Sequence, residues 1–318
     1  MVLVLGLCAL IVVLGVTPMI IRYAKATGRL DVPSDRKMHT VPTPRVGGHV
    51  FIPVIFILWL FAVPEWNSDV LSLLAATSIL FVIGILDDFK ELNHRIKLPF
   101  QFLASALVIY YWDLVPMDMG GALGIHSIHG WWGWLLMLLF FQFTINAVNY
   151  ADGINGLLGG YALLVFGFLG IWSYAAGAFQ LWTLLFIFCA GLLGFMFFNF
   201  RTQANTFMGD SGSTVIGLLA AMITARMIQL IPSVNLKIVD ITTVMPTFWV
   251  FVLLFWYPLF DSIIVYGRRL LKGMSPFKAD RRHFHHFLME KTKNNHLLSS
   301  LFILTVTLLI ILGLVVSL

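Results

Sequence analysis

From Val2 to Ile21 the chain carries no charged side chain, and runs of this kind recur along its whole length. A helix needs roughly 20 apolar residues to cross the hydrocarbon of a bilayer. Inside lipid the backbone must satisfy its own hydrogen bonds, which a helix does within one segment. Ten segments fit, at about 2–21, 46–63, 70–86, 98–112, 132–149, 157–174, 180–199, 211–230, 244–266 and 297–316. Of the 318 residues, 59% are hydrophobic and 11% charged, and no polar connection is long enough for a soluble domain of its own. The chain therefore reads as all-α, a polytopic membrane helical bundle of about ten transmembrane helices and a single domain over 1–318.

Basic residues give the expected orientation. Arg22, Lys25 and Arg29 follow the first segment and none precedes it, so that segment reads as a retained span with its N-terminus away from the cytoplasm. The same connection also holds Arg36, Lys37 and Arg45, and alternate connections then hold Lys90, Arg95 and Lys97; Arg201; and finally Arg268, Arg269, Lys272, Lys278, Arg281, Arg282, Lys291 and Lys293. The opposite side has Lys237 and little else. Both termini are expected outside. The net charge of +5 is thus topology and an attraction for anionic head groups and phosphates, and no nucleic-acid footprint. Cys8 and Cys189 lie inside apolar segments and read as small buried residues.

The unusual chemistry gathers in the cytoplasmic connections. The apolar run from Ile79 ends in adjacent acids, Asp87 and Asp88. Carboxylates at the negative pole of a helix are unfavourable unless something cationic offsets them or they have a task. Neighbouring side chains project about 100° apart, so the two acids are expected to serve different partners. Asn146, Asn149 and, if the helix continues, Asp152 share one face, ahead of a break at Gly153 and Gly156. Interhelical hydrogen bonding accounts for the asparagines but not for the DGING break at 152–156. Asp210, between Gly209 and Gly212 and next to Ser211 and Ser213, reads either as an N-cap or as a ligand for Mg²⁺ and phosphate at a helix start. His283, His285 and His286 lie in a basic juxtamembrane stretch that suits a diphosphate better than zinc or a lipid patch. Lys37, His39 and Arg45 charge a Pro- and Gly-rich loop over 33–48. Together these imply metal-assisted chemistry on a polyphosphate at the membrane surface.

PSDRK at 33–37, PTPRVGG at 42–48, the acid pair at 87–88, NYADGINGL at 149–157, FMGDSGS at 207–213 and DRRHFHH at 280–286 occur in this order. The chain resembles, over nearly its whole length, the polyprenyl-phosphate N-acetylhexosamine-1-phosphate transferases, relatives of phospho-N-acetylmuramoyl-pentapeptide transferase. The resemblance implies transfer of a sugar 1-phosphate from a UDP-sugar to undecaprenyl phosphate, with release of UMP. It implies Mg²⁺, with Mn²⁺ as a substitute, held by Asp210 with Asn149 nearby. Asp87 and Asp88 resemble the acidic pair at the lipid-phosphate side, and Asp152 the first acid of a DGxDG element. Of the pair, Asp87 is expected to face the lipid phosphate and Asp88 the metal and diphosphate. Lys97 resembles the lysine on the diphosphate. Asn155 and Phe207 fall where relatives hold uracil, and Arg282, His283, His285 and His286 where they grip the nucleotide-sugar. Lys37, His39 and Arg45 form the lipid-phosphate loop.

Two departures bear on the branch. Asn155 stands where many bacterial relatives have Asp, and HFHH replaces three consecutive histidines. These and PSDRK point away from the muramoyl-pentapeptide branch, toward N-acetylglucosamine and initiation of a surface glycan in a bacterial inner membrane. A homodimer is compatible with this reading. The rivals are another UDP-N-acetylhexosamine donor, a secondary transporter and an aspartyl intramembrane protease. A transporter places its coupling acids near the midplane. Here only Asp261 lies deep within a segment.

Overall fold

The computed structural model describes residues 1–33, 41–115, 117–118, 124–230, 247–271, 273 and 283–317. The helices are α1 (Val2–Ala26), α2 (Gly47–Ala62), α3 (Ser68–Lys90), α4 (His94–Tyr111), α5 (Gly130–Tyr150), α6 (Leu157–Ala175), α7 (Phe179–Asn199), α8 (Asp210–Leu230), α9 (Thr247–Leu254), α10 (Trp256–Leu271), α11 (Phe284–Lys291) and α12 (His296–Ser317). A small antiparallel ladder, β1 (Met117–Asp118) with β2 (Ser127–Ile128), lies in the connection from α4 to α5. The fold is a polytopic helical membrane bundle.

Seven of these helices, α1, α3, α5, α6, α7, α8 and α12, are long and apolar enough to span a bilayer. Helix α2 is a shorter apolar helix of 16 residues. The expected 98–112 segment belongs to α4, which starts earlier because the Asn93 side chain caps it, accepting the Arg95 N–H at 3.0 Å. The expected continuous segment 244–266 is corrected within the described residues. Its helix breaks at Phe255 and restarts as α10. Pro258 has no N–H to give Leu254, four residues back, and its ring crowds that carbonyl. The freed Leu254 carbonyl accepts a hydrogen bond from the Tyr161 hydroxyl instead.

Helix α8 is the hub. Every residue from Ser211 to Ala225 is buried, and α2, α3, α4, α5, α6 and α9 all pack on it. A helix apolar on all sides belongs inside a bundle. Peripheral helices show the opposite pattern. Leu3, Leu7, Ile11 and Met19 of α1, and Leu301, Leu309 and Leu312 of α12, are exposed. Such apolar faces suit contact with lipid chains. The N-terminus of the central helix is therefore fixed on several sides, and the candidate site forms there.

Candidate active site

Helix α3 meets the start of α8 almost without a gap. A Cβ at Gly84 would lie 2.4 Å from Ser211 Cα, so only glycine permits this approach. One turn further on, Asp88 reaches the open end of α8. Its Oδ1 accepts the Asp210 N–H at 2.7 Å and its Oδ2 the Ser211 N–H at 3.2 Å. His49 Nε2 lies 3.3 Å from the same Oδ2. The side chain is fully buried. Asp88 thus caps α8 from another helix. Its charge, unfavourable at the end of α3, is offset by the positive pole of α8. Asp88 is expected to face a metal and diphosphate, and in this structure both of its oxygens accept from the start of α8.

Asp87 points elsewhere, as adjacency on a helix requires. Its Oδ1 accepts the Leu92 N–H at 2.7 Å and its Oδ2 pairs with Lys97 Nζ at 3.1 Å. The same ammonium lies 2.7 Å from Asp210 Oδ2. One lysine therefore bridges the α3 and α8 carboxylates. Asn149, on the last turn of α5, donates from Nδ2 to Asp210 Oδ2 at 3.2 Å and accepts from Ser213 Oγ at 2.7 Å. Asn146 turns away into α4, donating to Gln101 Oε1 at 3.2 Å, which is a bundle contact.

Helix α5 ends at Tyr150, so Asp152 lies beyond it rather than on the face of Asn149. Its Oδ2 accepts the Gly209 N–H at 3.0 Å. Burial raises the Asp152 carboxyl to about 8, against the downward pull of that hydrogen bond and of Arg45. Gly209 has φ +77°, and a Cβ there would lie 2.7 Å from Asp88 Oδ1, which accounts for glycine in this turn. The PTPRVGG loop pairs along FMGD. Phe207 N donates to Pro44 O at 3.0 Å, Gly47 N to Phe207 O at 2.9 Å and Gly48 N to Met208 O at 2.8 Å. Arg45 is thereby brought to the cluster, where it pairs with Asp31 at 3.0 Å and feels the charges of Asp210 and Asp88. A pocket of about 170 Å³, lined by Arg29, Asp31, Arg45, Asp88, Phe89 and Glu91 among others, opens beside it.

The described part of the histidine loop packs on DGING from the other side. His285 lies against Gly153, where a Cβ would sit 2.5 Å from Nε2. His285 Nδ1 is 2.8 Å from the Tyr257 hydroxyl. Burial holds this imidazole well below its ordinary pKa, with the neighbouring histidines adding to the effect. His283 is buried as well, and His286 is half-buried beside His285. Asn155 is 3% exposed and donates to the carbonyls of Arg201 and Thr202, at 2.8 and 3.1 Å. Its Oδ1 is buried with no hydrogen-bond partner among the described residues. Phe207 is half-buried. Lys37, His39 and Arg282 lie outside the described residues.

The structure thus joins Asp87, Asp88, Lys97, Asn149, Asp152 and Asp210 at one point, with Arg45 adjoining. Sequence reasoning missed His49, whose signal was a polar residue directly after Gly47 and Gly48. It also missed the partners Asp31 and Tyr257. Among the described residues, no group of three or more His, Cys, Asp or Glu side chains is arranged to hold a metal. Asp210, Asn149 and Ser213 instead offer a few hard oxygen donors. That set fits Mg²⁺, which is commonly held by one or two carboxylates together with substrate phosphates.

A family model described as glycosyl transferase family 4 matches residues 70–228. The undecaprenyl-phosphate alpha-N-acetylglucosaminyl 1-phosphate transferase of Yersinia pestis is 32% identical over 269 residues, 82% of this chain and 70% of its own. That of Escherichia coli (strain K12) is 31% identical over 279 residues, covering 84% and 71%. A probable undecaprenyl-phosphate N-acetylglucosaminyl 1-phosphate transferase of Bacillus subtilis (strain 168) is 29% identical over 284 residues, covering 88% and 75%. The matched family region runs from α3 through α8 and so contains the acid pair, Lys97, the DGING turn and Asp210. The chain belongs to glycosyl transferase family 4.

Proposed function

We propose that this protein is a sugar-1-phosphate transferase that moves N-acetylglucosamine 1-phosphate onto undecaprenyl phosphate. The transferred group and the acceptor are those in the names of its relatives. A UDP-sugar donor and UMP as product follow from the resemblance. The observation that carries the reading is Lys97, held between Asp87 and Asp210 at the N-terminus of α8. The N–H groups at the start of α8 are taken by Asp88 and Asp152, so it is this ammonium, beside Asp210, that can meet a diphosphate.

In the reaction an oxygen of the lipid phosphate attacks the sugar-bearing phosphorus of the donor. A new P–O bond forms, the bond to the bridging oxygen breaks, and UMP leaves with that oxygen. A phosphate monoester has a second pKa near 6, so the acceptor is largely dianionic at neutral pH and needs little help from a base. The task of the protein is then positioning and charge compensation. Lys97 holds Asp87 and Asp210 in register through its two contacts, and it is within reach of a phosphoryl oxygen at the same place. Asp152, whose carboxyl burial raises to about 8, accepts from Gly209 through one oxygen, and in its protonated form it can donate from the other to an anionic group. Asp88 acts on none of the reactants and fixes the end of α8. Asp210 and Asn149 would hold Mg²⁺ or Mn²⁺. Such an ion neutralises phosphate charge and supports in-line displacement.

The basic connections support a site at the cytoplasmic face of the bacterial inner membrane, where it would initiate a surface glycan. Purified protein with undecaprenyl phosphate and a panel of UDP-sugars tests the reading. UMP release with UDP-N-acetylglucosamine is expected. Release only with a different N-acetylhexosamine would reassign the donor, and no release with any would refute the activity.

A further inference from the structure

Asp261 is an acid inside an apolar helix, on the second turn of α10, and it is 6% exposed. Both of its oxygens are used on two consecutive residues. Oδ2 lies 2.8 Å from His283 Nδ1, and Oδ1 accepts the Phe284 N–H at 2.6 Å. His283 is the N-cap residue of α11, yet its own side chain makes no cap bond. Asp261 supplies that cap from another helix, as Asp88 does for α8. Tyr257, one turn earlier on α10, takes the next imidazole of HFHH, with its hydroxyl 2.8 Å from His285 Nδ1. Residues four apart on a helix share a face, and this face holds two histidines that are two apart. The result is a stack. His283 and His285 are nearly parallel, 9° apart with centroids 5.5 Å apart. The outer face of His283 leans on Tyr150 at 5.3 Å, and His285 rests on Gly153. Tyr150 and Gly153 flank the segment that carries Asp152.

We infer that Asp261 is a positioning residue for the nucleotide-sugar side of the site, acting through His283. It fixes the proton of that imidazole on Nδ1 and, with Tyr257, docks HFHH onto residues 150–153. The inference rests on the transferase reading, which assigns this loop to the nucleotide-sugar. It gives a task within the active site to the one deep acid that a transporter reading would claim. Because a carboxylate has only acceptors to offer, the bond to His283 requires Nδ1–H. A neutral amide at 261 can replace the bond to Phe284 but does not impose that tautomer.

Two measurements test this. The first is ¹⁵N spectroscopy of histidine-labelled wild-type protein, with His283→Gln for assignment. It needs neither turnover nor an Asp261 variant. A His283 signal with its proton on Nδ1 is expected, and a resting Nε2–H tautomer would overturn the inference. The second is kinetic. In Asp261→Asn the KM for UDP-N-acetylglucosamine should rise about tenfold, the scale of one charge-assisted hydrogen bond, with the acceptor KM unchanged. Combining it with His283→Asn should add little, because the two residues act as a unit. A folded Asp261→Asn protein with wild-type donor KM, or losses that multiply in the double variant, would overturn it. Absence of UMP release by the wild type would instead count against the transferase reading, leaving the spectroscopic result to decide the role of Asp261.

Discussion

Asp88 Oδ1 accepts the backbone N–H of Asp210 at 2.7 Å, so one acid of an adjacent pair caps the helix on which the candidate metal ligand stands. Asp87, next to it, accepts instead from the Leu92 N–H and from Lys97. Asp88→Ala would leave two buried N–H groups without partners and remove a charge from a helix N-terminus. The expected loss of stability is on the order of 2–4 kcal/mol. Asp88→Asn keeps one acceptor and should recover about half of it. Thermal unfolding in detergent measures both. If both variants unfold at the wild-type temperature and are equally inactive, Asp88 is a reacting group rather than a cap.

Asp210 shares Lys97 with Asp87 and also holds Asn149. Asp210→Asn should fold, because its backbone N–H still reaches Asp88. Its kcat should fall by about a thousandfold or more, since losing charge compensation on a diphosphate costs several kcal/mol and each ~1.4 kcal/mol is tenfold in rate. Wild-type activity should vanish in EDTA and return with Mg²⁺. Full turnover in EDTA would remove the metal from the mechanism.

Much of this site was legible in the sequence because its residues are chemically conspicuous. Paired acids at a helix end, a Gly–Asp–Ser turn and an acid–Gly–Asn break have no comfortable place in lipid unless they meet. What the sequence did not show was the division of labour between Asp87 and Asp88. That is decided by which acid faces α8, and so by the contact of Gly84 with Ser211, a tertiary fact. The end of α5 at Tyr150, by contrast, falls within one residue of the 132–149 segment, just ahead of the break that Gly153 and Gly156 mark. The break at Phe255 did have a marker in Pro258, which an unbroken apolar run masked. His283 and His285 read as ligand contacts because of their type. In the structure their Nδ1 atoms are engaged by Asp261 and Tyr257, residues too far along the chain for spacing to reveal.

The basic connections lead to an orientation that labelling can test. In protein lacking Cys8 and Cys189, a cysteine introduced by Lys278→Cys should react with an impermeant maleimide only after the inner membrane is opened. One introduced by Asn67→Cys, at the start of α3, should react in cells whose inner membrane is intact. The reverse pattern would place the Asp87–Asp210 cluster on the outer side and sever it from a cytoplasmic nucleotide donor.

His285 gives the stability of the protein a pH dependence whose sign is fixed by its burial. In the folded state its pKa lies well below the ordinary value, whereas the unfolded chain titrates near 6.5. Below about 6.5 the unfolded state therefore binds a proton that the folded state refuses, and stability falls as pH drops, by up to about 1.4 kcal/mol per pH unit for one group. Asp152 has the opposite sign, because its carboxyl is raised to about 8, so a single acid limb of the wild type would mix the two. A difference between variants separates them. His285→Asn keeps an amide near the Tyr257 hydroxyl and removes the titration, while Asp152 is the same in both proteins. Between pH 6.5 and 5 the unfolding midpoint of the wild type should fall more steeply than that of His285→Asn, and above pH 7 the two curves should run parallel. Parallel curves across the whole range would mean that His285 takes up a proton without leaving its place against Gly153, and that the stack on residues 150–153 is open to water.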